Sequence, residues 1–146
     1  MKLSPNFDLS EFTFSQTAVR KGIDNTPPPE IIENLKRLAL TMEQVRLVLG
    51  TPIIVSSGYR CPELNAIIGG SPTSDNRFGK ADDFTSPSFG TPYDVALAIS
   101  RSGIKFDQLI YEGTWVHLGI GERMRQQLLT ARFPNGKAVY EHGINA

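Results

Sequence analysis

The sequence predicts an α+β fold in which helices pack on a small antiparallel sheet. A long segment in the first third of the chain repeats apolar residues at helical spacing. Short segments rich in β-branched residues, separated by glycine and proline, dominate the second half. Helices that precede a run of strands are typical of the α+β class. We expect residues 1–146 to form a single domain, because no linker or repeat interrupts the chain.

The long apolar repeat lies between Pro29 and Gly50. Proline suits the first turn of a helix, and glycine often ends one. The apolar residues fall at alternating spacings of four and three and therefore share one helix face: Ile31, Leu35, Leu38, Met42, Val45 and Leu49. We predict that this segment is a core helix.

The remaining elements are shorter and are separated by turn residues. We expect short helices over residues 9–12, 62–68 and 92–102, with irregular chain between the first of them and Pro29. Strands are predicted over residues 52–57, 80–84, 106–112, 115–120, 127–133 and 137–141. Gly113–Thr114 and Pro134–Asn135–Gly136 are predicted to be the turns of two hairpins.

The composition argues against several classes of partner. Fifteen Lys and Arg balance fifteen Asp and Glu, and no basic stripe is present, so we expect no nucleic-acid partner. No apolar run approaches the length of a membrane span, and MKLSPNFDLSEF lacks the apolar region of a signal peptide. We therefore expect no membrane insertion. Cys61 is the only cysteine, which excludes an internal disulfide and favours a structural thiol over a nucleophile.

The turn at Gly113–Thr114 is predicted to bring two chemically active residues onto one face of the sheet. A two-residue turn pairs Ile110 with His117, and it pairs Glu112 with Trp115. Glu112 and His117 then become diagonal neighbours. A carboxylate beside an imidazole suits a metal ligand with an adjacent general base. A surface glutamate near a half-buried histidine is the more common origin of such a pair.

The segment SDNRFGKADDF, residues 74–84, places two adjacent aspartates in a predicted strand. Side chains alternate across a strand, so Asp83 lies on one face and Asp82 on the other. An inward carboxylate without a partner is unfavourable, and we therefore expect a cation or an arginine nearby. A metal ligand and an aspartate paired with Arg60 or Arg77 fit the pattern equally well.

Together these segments resemble the zinc D-Ala-D-Ala carboxypeptidases and peptidoglycan endopeptidases, a family that includes many phage endolysins. That family carries S-x-H-x-x-G-x-A-x-D and, much later, E-x-x-W-x-H. The chain has SDNRFGKADD from Ser74 and EGTWVH from Glu112. SSGYRCPELNAIIGG is similar to the family's S-G-Y-R and N-x-x-x-G-G segments, and LLTARFPNGKAVYEHG resembles the closing strands of phage-encoded members. The resemblance covers nearly the whole chain.

The resemblance implies the hedgehog-like zinc peptidase fold and a zinc cofactor. Asp83 and His117 would be zinc ligands. Glu112 would be the base that takes a proton from the attacking water and returns it to the leaving amine. We expect the segment with Asn76 and Asp83 to fold over the hairpin with Glu112 and His117, so that the four side chains share one cleft.

The resemblance also implies how substrate is held. Arg60 would bind a substrate carboxylate or the developing oxyanion, Ser74 would position the peptide, and Trp115 would wall the site. The implied partner is a peptidoglycan stem peptide, together with virion proteins if the chain is part of a particle. Because no signal peptide is present, we expect the protein in the host cytoplasm, reaching the cell wall by a separate route or within a virion.

One metal position departs from the family pattern. Asn76 stands where the family has its first histidine ligand, and an amide oxygen is a poorer zinc ligand than imidazole. His142, the only other histidine, is not expected to replace it. Three interpretations stay open: the site binds zinc weakly and retains some activity, the domain has lost catalysis and kept its groove, or Asn76 was introduced in place of histidine.

The sequence therefore favours a peptidoglycan stem-peptide hydrolase of phage or prophage origin, with activity reduced by Asn76. The alternative is a catalytically inactive virion or tail module that retains the peptidase fold for binding. A cytoplasmic protein that acts on another peptide or on a host protein is a third possibility.

Overall fold

Most helical residues lie in the first half of the chain and most strand residues in the second, so the predicted α+β class is confirmed. The computed structural model describes residues 1–146. In chain order the elements are β1 (Lys2–Ser4), β2 (Phe7–Asp8), α1 (Leu9–Thr13), α2 (Gln16–Lys21), α3 (Pro29–Leu49), β3 (Ile54–Ser57), α4 (Pro62–Ile68), a 3₁₀ turn (Asp75–Phe78), β4 (Ala81–Thr85), α5 (Pro92–Ser100), β5 (Gln108–Tyr111), β6 (Val116–Gly119), β7 (Gln127–Arg132) and β8 (Val139–His142).

The predicted core helix is confirmed as α3. It begins at Pro29 and ends at Gly50, whose φ of 68° is a left-handed conformation that glycine adopts without strain. All six apolar residues of the predicted face are buried, and they pack with Phe84, Leu109 and Leu118 of the sheet in one core. None of the helices combines the length and the apolar character that crossing a membrane requires.

The main sheet has six strands in the order β3-β4-β6-β5-β7-β8. All neighbouring pairs are antiparallel except β5 and β7, which run parallel. The parallel pair arises because β7 follows β6 in the chain but lies on the far side of β5. One face of the sheet carries Leu109, Val116 and Leu118 into the core. The opposite face is free to line a cleft.

The N-terminal segment differs from the prediction. β1 and β2 form an additional two-stranded sheet, and α2 forms where irregular chain was expected. The Ser15 hydroxyl caps α2 by accepting a hydrogen bond from the Ala18 amide, and Gly22 ends the helix in a left-handed conformation. Only one residue of α2 is buried. The helix is thus held by its caps and has no apolar periodicity from which to predict it.

The 3₁₀ turn leads into β4 through Gly79. Gly79 has a φ of 70°, and a Cβ at this position would lie 2.9 Å from Cγ2 of Ile31. A larger residue would therefore meet both backbone strain and the core helix. This close approach sets where β4 begins.

Asp82 occupies the core face of β4 without a partner. The residue is 0% exposed, and both carboxylate oxygens lack a hydrogen-bond partner. Neither Arg60 nor Arg77 forms an ion pair with it, so the expectation of an arginine partner is wrong for this aspartate. Burial, with a contribution from the charge of Asp83, raises the pKa of Asp82 well above its usual value.

We expect Asp82→Val to stabilise the fold by about 1–3 kcal/mol at pH 7, because it removes an unpaired polar group from the core. Urea unfolding measures the change. The wild-type free energy of unfolding should also fall as pH rises from the usual carboxyl pKa of 3.8 towards the raised folded-state pKa, since the folded state binds more protons in that interval. The variant should lose this dependence.

Thr85→Val, on the opposite face of the same strand, is the matched control and should change stability by less than about 0.5 kcal/mol. A variant at Asp82 that is less stable than wild type would show that the carboxyl group contributes favourably to the core.

Candidate functional site

Three side chains converge where β4, β6 and the end of β5 meet. Asp83 pairs with His117 across β4 and β6, and Ile110 pairs with His117 across β5 and β6. The Glu112 amide donates a hydrogen bond to the Trp115 carbonyl at 3.0 Å. The predicted hairpin register is therefore confirmed. The potential ligand atoms of Asp83, Glu112 and His117 all lie within 4.8 Å of one another.

Asp83 and His117 form a hydrogen-bonded pair. Asp83 Oδ1 lies 2.8 Å from His117 Nδ1, and the two side chains are 17% and 14% exposed. Burial alone would lower the pKa of His117, but the hydrogen bond and charge of Asp83, with the charge of Glu112, outweigh burial and raise it above 6.5. The pair contributes stability below pH 6.5, which is lost as pH rises through the raised pKa.

Glu112 is held by Trp115 in a partly desolvated position. Trp115 Nε1 donates a hydrogen bond to Glu112 Oε2 at 3.1 Å. Burial raises the pKa of the Glu112 carboxyl, and the charge of Asp83 adds to this, although His117, Trp115 and Arg60 act in the opposite direction. A carboxylate whose pKa is shifted towards neutral pH is suited to accept and return a proton.

Arg60 places an unpaired positive charge in the cleft that contains Asp83, Glu112 and His117. Its guanidinium forms no ion pair in the structure, and its buried Nε has no hydrogen-bond partner. Burial lowers the pKa of Arg60, while the charges of Asp83 and Glu112 oppose that shift. Arg77, the other arginine considered for pairing with an aspartate, instead donates to the Pro72 carbonyl at 2.8 Å. The Arg60 guanidinium is therefore available to an anionic ligand.

Asn76 lines the cleft and is fixed by hydrogen bonds on both sides of its amide. Nδ2 donates to the Gly58 carbonyl at 3.0 Å and to the Ala81 carbonyl at 3.4 Å, while Oδ1 accepts from the Ser74 hydroxyl at 3.3 Å. The residue is 3% exposed. Asn76 thus shares the cleft with Asp83, Glu112 and His117, and its amide joins β4 to the loop that carries Gly58. His142 lies on β8, three strands from His117.

The cleft has a volume of about 720 Å³, which suits a short peptide. It also includes residues that the sequence analysis missed: Asp75, Asp107, Glu122, Arg123, Arg125 and Tyr140. Arg125 Nε and Nη2 bind Asp107 at 2.8 and 3.0 Å. Burial and the charge of Asp107 raise the pKa of Asp75. Asp75 lies in the 3₁₀ turn and Asp107 directly precedes β5. The other four reach the cleft through the β6–β7 loop or through the β5–β7 and β7–β8 pairings, for which the sequence has no local signal.

A comparison with protein families identifies the class of the chain. The family model described as Peptidase M15 matches residues 5–119. The chain belongs to the Peptidase M15 family. The matched segment contains Arg60, Ser74 and the three converging side chains, and it ends at the last residue of β6. A search of curated proteins finds no match to the chain.

Peptidase M15 proteins typically depend on zinc, and the donor set of this cleft fits that ion. Two carboxylates and an imidazole are ligand types that zinc accepts, and all three lie close enough for one ion to contact them.

We expect Asp83→Asn to lower the pKa of His117, because the substitution removes the carboxylate that stabilises the imidazolium ion. Titration of the histidine ring nitrogens by NMR, in metal-free buffer, measures the change. The chain has only two histidines, so the resonances of His142 serve as an internal control that should not respond. An unchanged pKa of His117 would contradict the assigned hydrogen bond.

Proposed function

We propose that this Peptidase M15 protein is a zinc-dependent hydrolase of peptide bonds in peptidoglycan stem peptides, of phage or prophage origin. The observation that carries the proposal is the convergence of Asp83, His117 and Glu112 beside the unpaired guanidinium of Arg60. Stem peptides are short and carry free carboxylates. The cleft volume and its unpaired cation suit both properties.

Each residue has a distinct role in the proposed reaction. Asp83 and His117 would hold zinc, with the amide of Asn76 in the position of the third protein ligand. Zinc bound there would act as a Lewis acid towards the peptide carbonyl and make water a stronger acid. Glu112 accepts a proton from the attacking water and returns it to the leaving amine.

The remaining residues bind and orient the peptide. Arg60 binds a substrate carboxylate or the oxyanion that develops during attack, since its donors have no protein partner. Ser74 directly precedes the 3₁₀ turn and lines the cleft. Its hydroxyl can give up its hydrogen bond to Asn76 and donate to the peptide instead. Trp115 forms a wall and keeps the carboxylate of Glu112 oriented.

A second function is favoured by the hydrogen bonds of Asn76. Its amide serves a structural purpose that does not require a metal, as its bonds to Gly58 and Ala81 show. A virion or tail module that binds stem peptides without cleaving them would keep the cleft and dispense with the histidine ligand. Zinc binding and turnover separate the two functions.

We expect the zinc-loaded protein to cleave purified stem peptides, with products identified by mass spectrometry. Glu112→Gln should lower kcat by about 10²–10⁴-fold while peptide binding is retained, because it removes the proton acceptor. Glu33→Gln, on the exposed face of α3, is the matched control and should behave as wild type. Peptide binding without turnover by the wild-type protein would favour the binding module.

We expect Asn76→His to raise zinc affinity by at least about tenfold, because imidazole is a better zinc ligand than an amide oxygen. Isothermal titration calorimetry with zinc measures the affinity. Asn135→His, in the exposed turn before β8, controls for the general effect of an added histidine. Equal affinity in wild type and Asn76→His would mean that this position is not a metal-ligand position in the present chain.

A further inference from the structure

The part of the chain beyond the matched family segment builds one side of the cleft. The Peptidase M15 match ends at residue 119, yet Arg123, Arg125 and Tyr140 all line the cleft. Two of these residues lie in the loop between β6 and β7, and Tyr140 lies on β8. The C-terminal hairpin is therefore placed to contact whatever the cleft binds.

The strand register brings Tyr140 into line with Glu112. Tyr111 pairs with Thr130 in the parallel β5–β7 ladder, which places Ala131 beside Glu112, and Ala131 pairs with Tyr140 across β7 and β8. The three side chains form a row on the cleft face, with two strand spacings, about 10 Å, between its ends. Ala131 is small and buried, so the Tyr140 ring has room to extend over it towards Glu112.

The hydroxyl of Tyr140 has no hydrogen-bond partner within the protein. The side chain lines the cleft while the residue is 54% exposed. Partial burial and the charge of Glu112 raise the pKa of the phenol. Tyr140 thus presents a neutral donor in the same cleft as the unpaired Arg60 guanidinium.

Trp115 lies on the other side of Glu112. Its indole nitrogen binds Glu112 Oε2, and its ring is 37% exposed at the cleft. Glu112 is consequently flanked by two aromatic residues, one bound to it and one with a free hydroxyl. Aromatic side chains with a polar end are well suited to hold a peptide, because they offer contact area and a directional hydrogen bond together.

We propose that Tyr140 is a substrate-positioning residue: it forms the wall opposite Trp115, and its hydroxyl donates a hydrogen bond to a carbonyl oxygen of the peptide bound at Glu112. This inference rests on the proposed function, since it takes the ligand to be a stem peptide. Tyr140 transfers no proton. It positions the peptide relative to Glu112, the carboxylate that transfers the proton.

Trp115 provides a readout that is independent of turnover. It is the only tryptophan of the chain and lies in the cleft, so its fluorescence reports peptide binding even when no bond is cleaved. The ligand is a synthetic stem pentapeptide ending in D-Ala-D-Ala, titrated into the full chain with and without zinc. Tyr140→Phe should weaken binding about fivefold by removing one hydrogen bond, and Tyr140→Ala should weaken it further by removing the wall.

Val139→Ala is the matched control, because the neighbouring side chain on β8 lies on the opposite face and is exposed. It should bind the pentapeptide as wild type does. If the wild type also turns over, Tyr140→Phe should raise KM about fivefold and leave kcat nearly unchanged, a split that a general loss of folded protein would not produce. Urea unfolding verifies that each variant is folded.

The outcomes separate the two proposals. Wild-type binding with no loss in Tyr140→Phe overturns the hydrogen bond, and no loss in Tyr140→Ala overturns the wall as well, while the proposed function stands. Absence of pentapeptide binding by the wild-type protein, with or without zinc, overturns the stem-peptide assignment and the role of Tyr140 with it. Graded weakening from phenylalanine to alanine supports both.

Discussion

The hydrogen-bonded ladder between β4 and β6 brings together Asp83 and His117, the pair around which the cleft is built. Because Asp83 is paired with His117 along that ladder, their side chains meet on the same face at 2.8 Å without help from a loop. The β5–β6 hairpin then adds Glu112 to the same face. A shift of one residue in the β4–β6 register would turn Asp83 into the core and Asp82 towards the cleft.

Much of this arrangement is readable from the sequence because it depends on local rules. Strand alternation separates Asp82 from Asp83, and a two-residue turn determines the pairing of Ile110 with His117. Proline and glycine define both ends of α3. These features involve residues that are near neighbours in the chain, so spacing alone predicts them. The likeness of the motif segments to zinc peptidases is the source of the roles expected for these residues.

The residues that sequence reasoning missed depend on contacts between distant segments. Tyr140 reaches the cleft only because β7 lies beside β5 in parallel, and no turn signal specifies that pairing. The short α2 is capped by Ser15 and Gly22 and buries only one residue, so no apolar periodicity predicts it from the sequence. The isolation of Asp82 is likewise a property of the packed core. A strand pattern shows that the carboxyl faces inward, and only the fold shows that nothing meets it.

The parallel β5–β7 pair has a consequence for how such a protein diversifies. The groups proposed to move protons or hold an ion lie on the 3₁₀ turn, on β4 and β6, and just after β5, whereas the last hairpin is appended at the sheet margin. Insertions, deletions or exchanges after residue 119 can therefore reshape ligand preference while leaving the reactive centre untouched.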